Sequence, residues 1–417
     1  MKKDILTYFV GKLIPSIINL GIVIFGVRFL GATEYGKFSL LYSTLLTIFS
    51  LCYGWVQQSI LRFYTDDELI STKQDLIGSI TFWMAVLVAL INLPISIFYF
   101  KLSVLNTLII SADSFLFTFF YYYLSVFQAS LKSKKFVLTE SIFFVFWFLI
   151  AAFFIYFSIA KFWIGFIAML ISLLVIFVIN FKKKEFVFTI FSFKTLKEKK
   201  SNELKLFFNY GLPISIWLFI ANAFSYADRF LMEHFFGYAD AGVYSTTYDL
   251  FFKIGNFVCM PILLSNHTRI VNAFNHNKHS DAKNYINKSI KLELGIMIVT
   301  LIGVLIIGRY LFETVTKIKL NNFYLTAIPI LLASFIWQIS LFVHKTLELG
   351  NRQIQMIIAL FISLGFNILS NIIFIPKYAM IAASINTFVS TLIYVSIVFY
   401  FSVKYNQIEN NNLNGCN

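Results

Sequence analysis

The chain has 417 residues, of which 59% are hydrophobic and 13% charged, and its mean hydropathy is +0.78. A soluble fold of this length needs more polar surface than such a composition supplies, which excludes a soluble enzyme or binding domain. The net charge of +14, from 34 Lys and Arg against 20 Asp and Glu, would suggest nucleic acid in a soluble chain. Here the basic residues sit in short connections between apolar runs, so the positive-inside rule explains them and no nucleic acid is expected.

Runs of about 20 apolar residues cross a bilayer. In chain order, twelve spans fit, at roughly 7–30, 38–62, 76–100, 104–131, 137–160, 162–181, 204–232, 243–270, 288–312, 322–345, 353–376 and 378–403. The first contains Lys12 and lacks a small-residue cleavage site, so it reads as a retained helix rather than a signal peptide. Lys2, Lys3, Arg62, Lys73, Lys132, Lys134, Lys135 and the basic stretches 182–205 and 269–291 all fall on one side of this arrangement. That side is the cytoplasm, and both termini lie there. Residues 182–203 form a basic cytoplasmic linker between a six-helix lobe, 1–181, and a second, 204–403. Residues 404–417 are a polar cytoplasmic tail whose asparagines predict an unstructured segment over 406–417. The expected fold is therefore an all-α polytopic membrane protein.

The halves repeat. Arg28-Phe29-Leu30 returns as Arg229-Phe230-Leu231, and Gly36, Phe38, Ser39 and Tyr42 return as Gly242, Tyr244, Ser245 and Tyr248 at a constant offset of 206 residues (242 minus 36). Six spans is an even number, so both halves enter the membrane in the same direction and the repeat is parallel. Such repeats place a substrate site between them.

Polar residues inside the spans are the candidate site. Span one carries Lys12, Ser16 and Asn19 on one face, and span two Ser39, Ser43, Ser50 and Gln57. Span seven carries Ser215, Asn222, Ser225 and Arg229, and span eight Ser245, Asp249, Lys253 and Asn256. The stripes of spans two and eight superpose in the repeat; they read either as walls of one aqueous cavity or as bonds between neighbouring helices.

Charges inside a membrane carry more weight because burying one is costly. Lys12 and Lys253 are cavity cations, and Asp249, four residues before Lys253, is placed to pair with it or to exchange it for an anionic substrate. Arg28 and Arg229 match at the outer ends of spans one and seven, where they either snorkel or hold phosphate. Asp228 faces away from Arg229. Asp113 lies alone inside span four and must turn inward, bind a cation or stay protonated. His344, Lys345, Glu348 and Arg352 cluster at the inner end of span ten as membrane-edge charge, and Tyr121-Tyr122-Tyr123 reads as an interfacial aromatic belt. The chain shows no phosphate-cradling glycine loop, no nucleophile elbow and no metal spacing around Cys52, Cys259 or Cys416, so it is not read as an enzyme and needs no resident cofactor.

The opening Gly11 to Pro15, then Arg28-Phe29-Leu30-Gly31 and Glu34-Tyr35-Gly36-x-Phe38-Ser39, resembles the polysaccharide-transport proteins. In particular it is similar to the O-antigen flippases, or Wzx proteins, of the MOP superfamily, which also holds the MATE exporters. Tyr226-Ala227-Asp228-Arg229 and Ala241-Gly242-Val243-Tyr244-Ser245 repeat the likeness in the second half. The resemblance implies a MATE-like pair of six-helix lobes alternating between inward- and outward-open states in the bacterial cytoplasmic (inner) membrane. The implied substrate is an undecaprenyl-diphosphate-linked oligosaccharide, with the lipid bilayer, an O-antigen polymerase and a chain-length regulator as partners. The residues that would hold it are Lys12, Arg28, Arg229 and Lys253, with Asn19, Asn222 and Asn256. Coupling to H⁺ or Na⁺ would fall to Asp113, Asp249 or Asp228. Two alternatives stand beside this reading: a MATE-like multidrug or cation antiporter, and a membrane O-antigen polymerase or glycosyltransferase.

Overall fold

The structure is a computed structural model that describes residues 2–64, 70–157, 161–182, 201–276, 278–350 and 352–414. All regular structure among the described residues is helical, as lipid demands, since a spanning segment must satisfy its own backbone groups. The helices are α1 (Lys2–Leu30), α2 (Ala32–Phe63), α3 (Ile70–Pro94), α4 (Val104–Ala129), α5 (Ser133–Tyr156) and α6 (Trp163–Lys182). They continue as α7 (Ser201–Phe236), α8 (Tyr238–Asn275), α9 (His279–Gly303), α10 (Arg309–Thr316), α11 (Phe323–Val343), α12 (Lys345–Leu349) and α13 (Gln353–Asn414). Ten stretches are long and apolar enough to cross a membrane; Gln353–Lys404 among them is broken at Ala379 into two spans, and Ile14–Leu30 adds one more, giving the twelve expected.

Spans three and nine carry a turn of π-helix, Ile95–Tyr99 after Pro94 and Val304–Gly308 between two glycines, which residue patterning did not foresee. α13 continues to Asn414, where the asparagine-rich composition predicts an unstructured tail; once a helix is running, each added residue needs only one more hydrogen bond. The basic linker is outside the described residues from 183 to 200.

The chain divides into two compact units, one of Met1–Ile22 and Lys37–Asn222, the other of Val23–Gly36 and Ala223–Asn417. In the first, α4 packs against α3, α5 and α6 around an aromatic core. Phe117 meets Phe49 edge-on at 5.3 Å, Phe120 meets Phe143 at 4.5 Å, and Trp147 donates to the Gly165 carbonyl at 2.8 Å. Tyr122 and Tyr123 are buried at 3% and 2% exposure, so they belong to this core and not to an interfacial belt. α4 is enclosed by its neighbours at that level, which leaves those rings no lipid–water boundary to face.

The same unit decides the serine stripe of span two. Ser43 and Ser50 donate to the backbone carbonyls of Leu40 and Thr47, both at 2.8 Å, and Ser215 of α7 donates to the Ser50 carbonyl at 2.6 Å. Ser39, Ser43 and Ser50 are all buried. These are intrahelical and helix–helix bonds, and the cavity-wall reading of this stripe is not supported.

In the second unit α8 packs on α9 and α11, and α11 on α13. The repeated motif is built here around four glycines. Gly31 and Gly237, again 206 apart (237 minus 31), adopt φ of +81° and +82°, which an L side chain rarely tolerates, and they turn the chain into α2 and α8. Five residues on, Gly36 and Gly242 let the two helix starts touch. A Cβ on Gly36 would lie 2.1 Å from the Tyr238 carbonyl oxygen, and one on Gly242 would lie 1.9 Å from that of Ala32. The contact is reciprocal, as a two-fold repeat requires.

Gly36→Ala or Gly242→Ala therefore collides with backbone, not with a side chain that can move. Each should cost about 3 kcal/mol or more, the upper end for overpacking, read as loss of monodisperse protein and a lowered melting temperature in detergent. Gly295→Ala and Gly365→Ala, where no atom lies within 4 Å of the new Cβ, should instead be neutral or stabilising by up to about 1 kcal/mol. Equal behaviour of the two pairs would refute the crossing.

Candidate cation and anion sites in the second unit

Asp228 and Arg229 are consecutive on α7, so their side chains leave the helix about 100° apart and enter different surroundings. Both are buried, at 1% and 2% exposure. Burial of a charge is tolerated only when it is paired and hydrogen-bonded. Each residue meets that condition in its own way.

Arg229 grips Asp249 of α8. Its Nη2 lies 2.7 Å from Oδ1 and its Nη1 lies 3.4 Å from Oδ2, and the Tyr35 hydroxyl donates to the same Oδ2 at 3.1 Å. The guanidinium is also flanked by two rings, with Cζ at 4.8 Å from the Tyr226 centroid and 5.1 Å from that of Tyr248. Planar delocalised charge suits this aromatic slot in a way an ammonium does not. Lys253, one turn beyond Asp249 and half-buried, lies within electrostatic reach of both members of the pair. The sequence pairs Asp249 with Lys253; the structure gives its bidentate bond to Arg229, whose fork matches a carboxylate.

The two arginines that sequence matches are not equivalent. Arg229 precedes Gly237 by 8 residues and Arg28 precedes Gly31 by 3, which sets Arg229 about 7.5 Å further along its helix from the turn. Arg28 is accordingly exposed, its guanidinium 5.7 Å from the Phe29 ring centroid, and its counterpart at the 206-residue offset is the exposed His234. The shared Arg-Phe-Leu wording conceals this five-residue slip.

Asp228 sits in a cage of neutral polar groups. Its Oδ2 accepts from Tyr244 at 2.8 Å and from the hydroxyl of Thr387, and its Oδ1 accepts from the Asn371 amide at 2.6 Å. Asn371 in turn donates to Asn367 at 3.2 Å and accepts from Asn386 at 2.8 Å. Asn367, Asn371, Thr387 and Tyr244 are completely buried and Asn386 nearly so. Sequence reading missed all five. The signal was present as Asn367 and Asn371 four apart, and Asn386-Thr387, inside otherwise apolar spans.

The other candidates scatter. Asn256 accepts from Gln338 and is occupied by α11. Asn19 and Asn222 are half-buried and belong to the first unit. Asp113 is fully buried in that unit, whereas Asp228 and Asp249 belong to the second. The side chain of Lys12 lies outside the described residues. At the end of α11, His344 lies 3.1 Å from the Tyr394 hydroxyl and Lys345 chelates Glu348 at 3.0 and 2.7 Å, so this charge is locked into the fold more than membrane-edge placement predicts. Glu293 of α9, which the sequence did not single out, is fully buried against the Cys259 thiol.

No protein-family model and no curated sequence matches this chain. Solved structures do match. An inward-facing multidrug resistance MATE family transporter of the MOP superfamily superposes with a TM-score of 0.70 at 12% identity, over 95% of this chain and 99% of that one. The fold is that of the MATE transporters. A Vibrio cholerae MATE transporter gives a TM-score of 0.68 at 12% identity over 98% and 97% of the two chains. A Pyrococcus furiosus MOP superfamily transporter, described as having a binding pocket of reverse polarity that suggests a different function, gives 0.64 at 11% over 97% and 95%.

Within this MATE fold the Arg229–Asp249 pair is a coupled unit. Arg229→Ala strands a buried carboxylate and should destabilise by about 3–5 kcal/mol. Adding Asp249→Asn should recover part of that loss, because the stranded charge is gone. A thermal-denaturation cycle of the two single variants and the double variant checks this; strict additivity would mean the pair does not interact.

Proposed function

We propose that the chain is a flippase that moves a polyprenyl-diphosphate-linked saccharide between membrane leaflets by alternating access. One observation carries the reading: two cations, the buried Arg229 and the half-buried Lys253, share the single carboxylate of Asp249, while Asp228, the acid beside Arg229 on α7, turns into its own cage of neutral groups. A site for cationic drugs wants the opposite sign. The planar fork of Arg229 that now holds a carboxylate presents the same donors to a phosphate oxygen pair. Asp249 is then the internal stand-in that substrate displaces, and it keeps the guanidinium from standing bare when no substrate is bound.

The driving ion fits the Asp228 cage. One carboxylate supplies one negative charge, and Asn367, Asn371, Thr387 and Tyr244 add four neutral oxygens. Hard monovalent cations such as Na⁺ take oxygen ligands. Turning an amide about its last bond exchanges its NH₂ for its oxygen, so the asparagines that now donate to Asp228 can serve a cation instead. Because Asp228 and Arg229 are neighbours on one helix, ion loading at one is poised to shift the other. The membrane potential also contributes, at about 2.3 kcal/mol per charge per 100 mV for an anion leaving an inside-negative compartment. The inner membrane, the cytoplasmic termini and partnership with a polymerase and a chain-length regulator belong to this same reading.

The test is leaflet accessibility of the lipid-linked repeat unit in cells with and without the gene. Deletion should trap the unit on the cytoplasmic face with loss of surface polysaccharide, and Arg229→Ala should reproduce the deletion more than tenfold below wild type. Repeat units that reach the outer face but stay unjoined would replace this reading with a polymerase. Restored polysaccharide export in the deletion by Arg229→Ala, together with drug sensitivity of the deletion strain, would replace it with a drug exporter.

A further inference from the structure

Asp113 differs from Asp228 and Asp249, and shares with Glu293 of the second unit a full burial in which neither carboxylate oxygen has a hydrogen-bond partner among the described residues. It lies in α4 of the first unit at 0% exposure. Its neighbours one turn away on the same face are Ile109, Ile110, Leu116 and Phe117. Along the helix Ser114 donates to the Ile110 carbonyl at 2.8 Å and Thr118 to that of Ser114 at 3.0 Å, and the buried hydroxyl of Ser111 makes no hydrogen bond to Asp113.

The helices packed around α4 offer nothing either. Lys73 and Asp75 of α3 and Lys182 of α6 fall at the helix ends, and the stretches 76–94 and 163–180 carry no charge; within them Asn92 donates to the Val88 carbonyl at 2.9 Å and Ser172 to that of Ala168 at 2.7 Å. On α5 the charged groups are Lys134, Lys135 and Glu140, in its first two turns. On α2 they are Glu34, Lys37 and Arg62, near its ends. The buried phenol of α2, Tyr53, faces Thr81 at 3.4 Å. None of these groups, nor Tyr99, Tyr122 or Tyr123, exerts a charge or a hydrogen bond on Asp113.

Two ligands satisfy a lone buried carboxylate, a metal cation or a proton. A cation the size of Na⁺ needs several oxygens at once, as the Asp228 cage supplies and the Asp113 surroundings do not. A proton needs one lone pair and removes the charge that lipid penalises. We propose that Asp113 is a proton-binding site of the first unit, loaded when α4 is sealed in its present packing and emptied when that face meets water. The proton moves as H⁺ between the carboxyl oxygen and water, and nothing else changes. The chain would then hold two unlike ion sites, one built for a metal cation and one for a proton. This extends the flippase reading but does not depend on which substrate is carried.

Infrared spectroscopy of the whole protein in lipid vesicles at neutral pH reads the site without any substrate, so its outcome is separate from that of the flipping assay. The protonated-carboxyl band should lose intensity in Asp113→Asn, persist in Asp228→Asn, and be insensitive to Na⁺. Glu293→Gln should remove a different component if that acid also contributes. Asp113→Asn should also melt within a few degrees of wild type, since asparagine is close in shape to a protonated aspartic acid; Asp113→Glu, which restores a carboxyl, should restore the band. An unchanged band in Asp113→Asn, or a Na⁺-dependent loss of the band in wild type, would overturn the assignment.

Discussion

A fully buried arginine follows a fully buried aspartate on α7, in a medium without water to screen either, and much of the second unit's polar architecture answers to that constraint. A bilayer interior gives an unpaired charge no solvent to fall back on, so each must be met by the protein. Arg229 is met by Asp249, which also accepts from Tyr35, and by the rings of Tyr226 and Tyr248, the group being drawn from α2, α7 and α8. Asp228 is met by groups from α8 and from both halves of α13. Two adjacent residues thus tie together α7, α8, both halves of α13 and the start of α2. A change in what either one binds must be felt by all of them, which is the property a transporter with an ion site and a substrate site requires.

The reciprocal glycine crossing makes this arrangement possible. Gly36 and Gly242 bring the starts of α2 and α8 to backbone contact, and only at that separation does Tyr35, the residue before Gly36, reach Asp249. Tyr244 and Tyr248, two and six residues after Gly242, serve Asp228 and Arg229 respectively. The most repetitive words in the sequence therefore set backbone contact at their glycines and partner buried charges at their tyrosines.

The parts of this that could be read in sequence are those governed by apolar length and by the repeat. Twelve spans, the parallel halves and the placing of Asp228, Arg229, Asp249 and Lys253 inside the spans follow from long apolar runs and the charges they enclose. What could not be read is partnership. An i,i+4 rule pairs Asp249 with Lys253 because it sees one helix at a time; the guanidinium that wins comes from another helix with better geometry. The rule that matched Arg28 with Arg229 counted identical letters and ignored the five-residue slip relative to Gly31 and Gly237. The Asp228 cage was invisible because asparagine and threonine in a span are usually helix glue, and only their convergence from α13 on one carboxylate distinguishes them. Ser43 and Ser50 show the opposite error, a repeat-preserved stripe whose hydroxyls simply satisfy backbone carbonyls.

The acids of the membrane region sort by the company they keep. Asp249 has a cation, Asp228 has neutral oxygens and hydroxyls, and Asp113 has hydrocarbon. On the readings proposed above, those three surroundings suit three different ligands, respectively an exchangeable positive side chain, a small metal cation and a proton, because each is the cheapest way to offset one negative charge with the groups at hand. Transporters sharing this fold can then differ in substrate sign and driving ion without any change in architecture. Replacing a few side chains around fixed acids suffices, and a fold likeness at 11–12% identity is compatible with pockets of opposite polarity.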